Sequence, residues 1–592
     1  MTPVELPGGT ARRSIRAIVL AALPLLLGFV LFLCWSGSHV LMPTRIGWVM
    51  MGLDTPSHYL SWQFFRHTPW LQWPLGANPA YGSDAPNSIV FADTIPLFAF
   101  FFKLFSVWLP ADFQYIGLWI ACCFVLQAWF AHKWLSQAGV GYWPALLASG
   151  LFVCAPLFLI RTYLHPALTA QWTLLAGFCL YGRPTFNSRR WLLLLVLTTL
   201  IHAYLLLMLA ALWTADLVKR RWLQESSWKD IGLNAATTGL AVGLVMWATG
   251  YFYAVATITQ SFHVYANLLA PLWPGVKGAW SSLISDHIGP ISLAPLANLL
   301  VLNTQPAADE GFAYAGLGII LLAIAVVPTC LFIRKRAHGI DNKPSRWLFA
   351  SAACLAMAIY AWGPHVYTGS TIAFSYPTSD VADRIYNVFR AAGRMIWPLW
   401  YLGLFGVICT LAYRLPRSWL VGLLSLAMLI QMADLWGMAK WNRHDLHQHE
   451  AWNPTLASPL WKLFATRYRR LVFMPNASVP QGILTWLPAY KELTNFAAQR
   501  GMSINSAYTA RMDPVIYERQ RSRRTSMLLA GQSEPNTMYV LEDDPLWNKL
   551  ACSTPSPLTV GRVDGKQIIA PGWDRQAAMA AGMQLATCTL PH

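Results

Sequence analysis

Apolar segments of about 20 residues recur along this chain from Ala17 to Trp436, and they constrain its fold more than any other feature. A helix of about 20 apolar residues is long enough to cross the roughly 30 Å hydrocarbon core of a bilayer. Charged residues make up only 12% of the 592-residue sequence, whereas soluble domains have about 25%. The sequence therefore predicts a polytopic α-helical membrane protein.

The first apolar segment, 17–34, follows three arginines, an arrangement that superficially resembles a signal peptide. Cleavage of a signal peptide requires small residues at the cut site, and the sequence FLCWSGSHVLMP offers only a poor match. We therefore interpret this segment as a retained first span, and we expect the N-terminus in the cytoplasm.

Basic residues lie in short clusters between the apolar segments: YGRPTFNSRR, VKRRW, IRKRAHGIDNKPSR and YRLPR. Short cytoplasmic loops of membrane proteins collect Lys and Arg. This distribution accounts for the net charge of +17 and argues against a nucleic-acid partner. With these loops inside, the sequence predicts spans near 17–35, 113–131, 143–160, 166–182, 231–253, 313–333, 347–362, 395–413 and 418–437.

One further apolar run, 191–218, lies between two basic clusters, so both of its ends are expected in the cytoplasm. Two shorter helices hinged near His202–Tyr204 satisfy this, because irregular backbone at membrane depth is tolerated where protein or water surrounds it. With the nine spans above, this makes eleven crossings and places the C-terminus outside. The short apolar segment 95–110 contains Lys103, so we interpret it as an in-plane or half-inserted helix.

Three of the predicted outer segments are long, at 36–112, 254–312 and 363–394, whereas the inner loops are short and basic. Long loops mounted on a rigid scaffold often carry function. We therefore expect the functional site on the outer face of the membrane.

The composition changes abruptly near Ala439. Strand-like runs such as RRLVFMP and TMYVLED, and the hairpin signal PLTVGRVDGKQIIAPG, alternate there with helical patterns. The sequence predicts a membrane domain at 1–438 and a periplasmic α/β domain at 439–592. In an oxidising periplasm, Cys552 and Cys588 of that domain could form a disulfide.

The first outer segment contains two candidate catalytic carboxylates. In GLDTPSHYLSWQFF, Asp54 precedes His58 by four residues, so on a helix the two side chains share a face. A partly buried carboxylate at a membrane surface can act as a general base. Structural alternatives remain open, because DTPS also fits a helix N-cap and a single histidine is often structural. Asp93, between two apolar runs, is either a second base or another cap.

The third outer segment contains three arginines, Arg384, Arg390 and Arg394, in a predicted helix that continues into a span. Arg390 and Arg394 would share a helix face, and guanidinium groups suit the geometry of phosphate. The structural alternative is that these side chains reach toward lipid headgroups. Three other basic residues at the outer edge or at the hinge are further candidates: Arg161, His165 and His202.

The segments LDTPSHYLSWQFFRHTPWLQWPLGANPAYG, SIVFADTIPLFAFFFKLFS and VFRAAGRMIWPLWY resemble a bacterial family of the GT-C superfamily of integral membrane glycosyltransferases, to which the type IV pilin arabinosyltransferases are related. The resemblance implies a GT-C-like fold and a reaction on the periplasmic face of the bacterial inner membrane. A sugar, for example a pentose such as arabinofuranose, would pass from a polyprenyl-phosphate donor to a glycan, lipid or pilin-like acceptor.

The resemblance also implies roles for the candidate residues. Asp54 would be the catalytic base, with Asp93 as the second candidate, while Arg390 and Arg394 would hold the donor phosphate. His58 would orient Asp54 or join it as a ligand of a divalent cation such as Mg²⁺ or Mn²⁺. Many GT-C enzymes have adjacent acids in this loop, whereas Asp54 stands alone in this sequence.

Two other functions also fit the sequence. A transporter or flippase for lipid-linked saccharides predicts polar residues along a transmembrane path rather than acids and arginines at one face. A non-catalytic protein of envelope assembly predicts exposed acids with no cavity beside them. The sequence contains no Walker-type phosphate loop and no GxGxxG, CxxC or HExxH motif, which argues against nucleotide hydrolysis.

Overall fold

The computed structural model describes residues 8–51, 54–254, 264–272, 310–334, 346–369, 371–448, 452–475, 488–510, 513–553 and 557–588. The α-helices of these residues are α1 Gly8–Ser36, α2 Gly47–Met51, α3 Thr55–Phe65, α4 Pro96–Lys103, α5 Ile116–Gln137, α6 Tyr142–Val153, α7 Pro156–Leu159, α8 Arg161–Leu164, α9 Trp172–Tyr181, α10 Ser188–Thr199, α11 Ala203–Trp222, α12 Trp228–Thr249, α13 Leu317–Phe332, α14 Leu348–Trp362, α15 Asp380–Val388, α16 Trp397–Arg414, α17 Arg417–Asp434, α18 Trp436–Gln448, α19 Leu460–Arg467, α20 Pro488–Gln499, α21 Pro514–Leu529, α22 Asp544–Cys552 and α23 Arg575–Ala580.

The strands of the described chain are β1 His365–Thr368, β2 Thr371–Ser375, β3 Arg470–Met474, β4 Ser503–Ile504, β5 Thr537–Leu541, β6 Leu558–Val563, β7 Lys566–Pro571 and β8 Gln584–Leu585. Two of them, β1 and β2, form a small antiparallel pair. The other six belong to one sheet with the order β4-β3-β5-β7-β6-β8.

Internal contacts divide the chain into two compact units that do not follow chain order. The first unit comprises Met1–Met42, Tyr115–Val242 and Ser261–Gln448. The second comprises Pro43–Gln114, Gly243–Gln260 and His449–His592. Most of the first outer segment therefore belongs to the same unit as the C-terminal part of the chain.

Four helices of the described chain are long and apolar enough to cross a membrane: Ala17–Ser36, Ile116–Gln137, Trp228–Thr249 and Ala392–Arg414. A bent pair, Arg417–Asp434 with Trp436–His444, would be a fifth span with a 47° bend. Shorter apolar helices are Tyr142–Val153, Leu317–Phe332 and Leu348–Trp362. These helices confirm an α-helical membrane protein, while the number of eleven crossings stays a prediction.

The predicted hinge of the apolar run 191–218 is confirmed. Helix α10 ends at Thr199 and α11 begins at Ala203. His202 has an extended backbone between them, and its Nδ1 accepts a hydrogen bond of 3.2 Å from the backbone N–H of Tyr204. The imidazole thereby satisfies one of the backbone donors that every helix start leaves without an intrahelical partner.

Polar side chains of α17 cap the first turn of α13 inside the first unit. The carboxylate of Asp434 accepts hydrogen bonds from the Tyr314 hydroxyl at 2.9 Å and from the Leu317 backbone N–H at 3.0 Å. The side-chain oxygen of Gln431 accepts from the next two backbone N–H groups at 3.1 and 3.3 Å. A carboxylate at a helix N-terminus also complements the helix dipole.

The C-terminal segment of the second unit is an α/β structure, as the sequence predicts. Strand β3 is parallel to β4 and β5, whereas β7 is antiparallel to β5 and β6. The β6–β7 hairpin turns at Asp564 and Gly565, which both have positive φ angles, as an Asp-Gly hairpin turn requires. Cys552 and Cys588 form a disulfide, while a periplasmic location of this segment stays a prediction.

The first outer segment continues the edge of this sheet. The backbone N–H groups of Gly82 and Ser83 donate to the Ile504 carbonyl at 3.1 and 2.7 Å, and the Ile504 N–H donates to Ala80 at 2.9 Å. These bonds satisfy the outer edge of β4, which would otherwise present unpaired backbone groups. In the same segment, α4 spans only eight residues, too few to cross a bilayer.

Asp84, which lies in YGSDAPN of the first outer segment, is a buried ionic anchor of the second unit. Its side chain is 1% exposed and lies 2.6 Å from Arg524 and 2.8 Å from Arg470. Glu534 pairs with the same two guanidinium groups at 3.2 and 3.3 Å. Two carboxylates and two arginines therefore neutralise each other and tie the first outer segment to the C-terminal sheet.

We predict that Asp84→Asn destabilises the second unit by about 3 kcal/mol or more, because loss of one partner leaves buried charge uncompensated. Unfolding of the full-length protein in detergent, followed by limited proteolysis, measures the effect. Glu518→Gln is the matched control, since Glu518 forms an exposed pair with Arg521 on α21 and such pairs contribute about 0–1 kcal/mol. Equal effects of the two substitutions would contradict the anchoring role.

Candidate functional site

One carboxylate of the first unit gathers three of the basic residues that the sequence singled out. Glu310 accepts two hydrogen bonds of 2.6 Å from Nε and Nη2 of Arg394. Arg161 donates to the same carboxylate at 2.9 Å, and His165 Nε2 lies 2.8 Å from it. The Arg161 side chain is fully buried, and that of Arg394 is 8% exposed. We call these four residues the Glu310 cluster.

Close backbone packing brings these residues together. Arg161 begins the short helix α8 and His165 directly follows it, so the two side chains, four residues apart, reach the same carboxylate. Arg394 lies in a 3₁₀ helix, Ala392–Ile396, that leads into α16. A side chain at Gly393 would come within 2.6 Å of the Gly311 Cα atom, so only glycine permits this approach of the two backbones.

Aromatic rings hold both guanidinium groups of the cluster. The guanidinium carbon of Arg394 lies 4.7 Å from the centre of the Tyr204 ring, and that of Arg161 lies 5.4 Å from the Trp397 ring. The Tyr204 hydroxyl also accepts a hydrogen bond of 2.9 Å from the Ala391 N–H. Cation–π contacts are strongest where water is excluded, so each arginine is held between a carboxylate and a ring.

The charges of the cluster keep Glu310 ionised. Burial by itself raises the pKa of Glu310, but the charges of Arg394, Arg161 and His165 outweigh it and hold that pKa well below its usual range. Glu310 is therefore ionised at neutral pH. Two guanidinium groups share this carboxylate, and guanidinium groups also suit the geometry of an anion such as phosphate.

The sequence predicts one continuous helix that carries Arg384, Arg390 and Arg394 into a span. This prediction is wrong, because the helix is interrupted. Helix α15 ends at Val388, and the 3₁₀ helix that contains Arg394 begins at Ala392. Arg390 lies between the two, half-buried, and its carbonyl accepts from the backbone of Val264 at 3.0 Å. The small residues around Gly393 break the helix because they serve close packing rather than helix formation.

The remaining basic candidates occupy different environments. Arg384 is exposed on α15 and lies outside the described contacts of the Glu310 cluster. His202 is buried at the hinge, with its ring centre 5.6 Å from that of Tyr204. Because Tyr204 contacts Arg394, the hinge and the cluster are packed against each other inside one unit.

The acid Asp54 of the second unit occupies the N-cap position of α3, as DTPS predicts, and Pro56 follows in the first turn. Its side chain forms no capping hydrogen bond within the described chain. Its carbonyl instead accepts from the backbone and hydroxyl of Ser57 at 2.9 and 2.6 Å. The N-cap position is therefore confirmed without the capping role of the carboxylate. His58 is buried in the same helix.

Asp93 stands on strained backbone in the second unit. It has a φ of 49°, and Ile95 has a φ of 55°, although left-handed conformations of non-glycine residues cost about 1–3 kcal/mol each and cluster at functional sites. One ring nitrogen of His58 lies within 4.8 Å of an Asp93 carboxylate oxygen. Metal binding at His58 stays a prediction.

The C-terminal part of the chain supports the backbone next to Asp93. The Ala510 N–H donates to the Phe91 carbonyl at 2.7 Å, two residues before Asp93. Together with the bonds at Ile504 and the Asp84 ion pairs, this contact makes the C-terminal part a scaffold for the acid-bearing segment. Sequence patterns could not reveal this role, because the contacting residues lie about four hundred positions apart.

Comparison with known proteins gives a family. The sequence matches the model of a domain of unknown function, DUF6311, over residues 25–436. The chain belongs to the DUF6311 family. Residues 460–571 match the separate model of the DUF6311 C-terminal domain.

No curated protein matches this DUF6311 sequence. Among solved structures, the chain is similar to the crystal structure of ArnT from Cupriavidus metallidurans in the apo state, with 12% sequence identity and a TM-score of 0.37. The alignment covers 94% of this chain and 98% of that one.

The sequence of this DUF6311 protein indicates Arg161, His165 and Arg394 as site residues but does not indicate Glu310 or the role of Tyr204. Glu310 stands in ADEGFAYAG at the end of the second long outer segment. Its signal was an acid followed by glycine just before an apolar span. Tyr204 was named only as a hinge residue, since its contact with Arg394 depends on tertiary packing.

We predict that Glu310→Gln destabilises this DUF6311 protein by about 3 kcal/mol, because Arg161 and Arg394 lose their buried counter-charge. Thermal unfolding in detergent provides the measurement. Asp380→Asn is the control, because Asp380 is exposed on α15 and surface substitutions usually change stability by less than about 0.5 kcal/mol.

The pH dependence of the stability difference between wild type and Glu310→Gln tests the electrostatic explanation. A carboxylate whose folded-state pKa is lowered stabilises the fold above its unfolded-state pKa, and this stabilisation is lost as the pH falls through the lowered value. The difference between wild type and Glu310→Gln should stay constant from about pH 7 to about pH 5 and shrink only below about pH 4. A difference that shrinks already at neutral pH would contradict the lowered pKa of Glu310.

Proposed function

We propose that this protein is a GT-C-like membrane glycosyltransferase with eleven crossings. It transfers a sugar, such as a pentose of the arabinofuranose type, from a polyprenyl-phosphate donor. The acceptor is a glycan, a lipid or a pilin-like protein on the periplasmic side of the bacterial inner membrane. The observation that carries the proposal is the Glu310 cluster, in which two buried arginines and a histidine converge on one carboxylate.

A polyprenyl phosphate combines an apolar chain with an anionic group, and the Glu310 cluster offers a cationic site on a membrane-embedded scaffold. The two hydrogen bonds that Arg394 donates to Glu310, and its contact with the Tyr204 ring, orient the Arg394 guanidinium before any ligand arrives. Preorganised charge stabilises a leaving group without the cost of rearrangement during the reaction. We assign the donor phosphate to Arg394, with Arg161, His165, Arg390, His202 and Arg384 as further candidates.

The chemical step needs a base and a leaving group. The acceptor hydroxyl gives its proton to a carboxylate while its oxygen forms a bond to the anomeric carbon of the sugar. The bond from that carbon to the phosphate oxygen breaks, and polyprenyl phosphate leaves with the electron pair. We assign the base to Asp54 or Asp93, with His58 as the residue that orients it.

Backbone strain at Asp93 supports it as an alternative to Asp54 for the role of the catalytic base. The left-handed backbone at Asp93 and Ile95 costs free energy that the surrounding structure must offset. Asp93 is the C-cap of the 3₁₀ helix Ile89–Ala92, and the β-branched Ile95 in the same conformation is the rarer case. The substitutions Asp54→Asn and Asp93→Asn separate the two assignments.

We predict that Asp54→Asn or Asp93→Asn abolishes sugar transfer, with a loss of at least about a hundredfold for the residue that is the base. Envelope glycans and pilins of a deletion strain complemented with each variant are analysed by mass, and membrane insertion is checked on the same cells. Glu518→Gln, on an exposed surface of the second unit, should leave transfer unchanged. Normal transfer by both aspartate variants would refute the carboxylate base.

We predict that Arg394→Gln weakens binding of undecaprenyl phosphate at least about tenfold, because a charged hydrogen bond contributes about 1.5–3 kcal/mol. Thermal stabilisation of the purified full-length protein by this lipid gives the affinity. Arg384→Gln is the control for overall charge, since Arg384 is exposed. Equal losses in both variants, or unchanged affinity in Arg394→Gln, would remove the support for a donor-phosphate site.

A further inference from the structure

A basic cavity lies in the first unit, lined by residues that take no part in the Glu310 cluster. Its volume is about 140 Å³. An apolar cavity of about 150 Å³ admits benzene, so this space is large enough for a phosphate group. Four cationic residues line the cavity: Arg183, Lys219, Arg220 and Arg346.

Three separate basic clusters of the sequence meet at this cavity. Arg183 comes from YGRPTFNSRR, Lys219 and Arg220 come from VKRRW, and Arg346 ends IRKRAHGIDNKPSR. The positive-inside rule explains why each loop is basic, but it does not require the loops to converge. Their convergence on one cavity is a property of the tertiary structure.

Two carboxylates of the described chain pair with cations at the cavity. Asp216 is fully buried and pairs with Lys219 at 2.7 Å and with Arg220 at 3.1 Å. Glu225 pairs with Arg220 at 2.5 Å. Among the described residues, no carboxylate forms an ion pair with Arg183 or Arg346.

Arg183 and Arg220 differ in the partners of their side-chain hydrogen-bond donors. Arg220 donates to Asp216, to Glu225 and to the carbonyl groups of residues 183 and 184, so it holds the loop in place. The buried Nε of Arg183 has no hydrogen-bond partner among the described residues. Buried donors nearly always have a partner, which indicates that a ligand or water completes this site.

Aromatic side chains line the apolar side of the cavity. Trp134 and Phe405 are stacked with ring centres 4.0 Å apart, and Trp347 lies 5.3 Å from Tyr181. All four residues line the same cavity. A ligand that fits both sides combines a phosphate with an apolar body.

We propose that this cavity binds a phosphate-bearing anion, with the phosphate beside Arg183 and Arg346 and the apolar part against Trp134 and Trp347. Basic pockets between membrane helices on the cytoplasmic side bind the headgroups of anionic lipids, and the sequence predicts these loops to be cytoplasmic. A soluble phosphate compound has the same recognition chemistry. The proposal does not depend on sugar transfer.

The test measures binding to the purified full-length protein in detergent. The probes are short-chain phosphatidylglycerol, short-chain phosphatidylcholine as the lipid without net charge, and inorganic phosphate. Thermal-shift titration and native mass spectrometry follow binding to wild type and to Arg183→Gln. We expect phosphatidylglycerol to bind saturably and Arg183→Gln to weaken it at least tenfold, with Arg346→Gln as a second variant.

The matched control is Arg189→Gln, because Arg189 belongs to the same basic cluster as Arg183 but is exposed and does not line the cavity. Tight, variant-sensitive binding of phosphatidylglycerol supports a lipid ligand. Inorganic phosphate that binds as tightly, with the same sensitivity to Arg183→Gln, supports a soluble one. The proposal is overturned if no probe binds saturably, or if Arg189→Gln weakens binding as much as Arg183→Gln.

Discussion

A buried positive charge is costly unless a carboxylate pairs with it, and this constraint shapes the polar interior of the protein. Three acids each hold two cations: Glu310 holds Arg161 and Arg394, Asp216 holds Lys219 and Arg220, and Asp84 holds Arg470 and Arg524. Each acid offsets part of the free-energy cost of burying basic residues that are distant in the sequence. Removal of any one of them would leave buried positive charge without its counter-charge.

The partners of these acids differ between the three networks. Around Asp84, a second carboxylate from Glu534 brings the total to two acids and two arginines, so these four charges balance and join parts of the second unit. Glu310 is shared by two arginines and a histidine, whereas Asp216 pairs with two cations that line a cavity. These last two networks lie where we propose anion sites in this DUF6311 protein.

Much of the candidate site was predictable because its residues are of polar types that are rare in or beside apolar segments. Arg161 and His165 at helical spacing, Arg394 beside a span and His202 within an apolar run are all costly in a membrane, and their cost draws attention in the sequence alone. Glu310 and Asp84 were missed for the opposite reason. A single acid before a span, or in a turn, is unremarkable until its partners are known, and those partners lie between 84 and 440 residues away.

The sequence by itself determined the membrane class, the break at His202 and the strands of the C-terminal part, because hydropathy, charge and alternation act over short distances. Tertiary structure decided which basic residues share a carboxylate, that the helix through Arg390 is interrupted, and that the first outer segment belongs with the C-terminal sheet. These outcomes depend on pairing between residues far apart in the chain, and no local pattern encodes the partner of a buried charge.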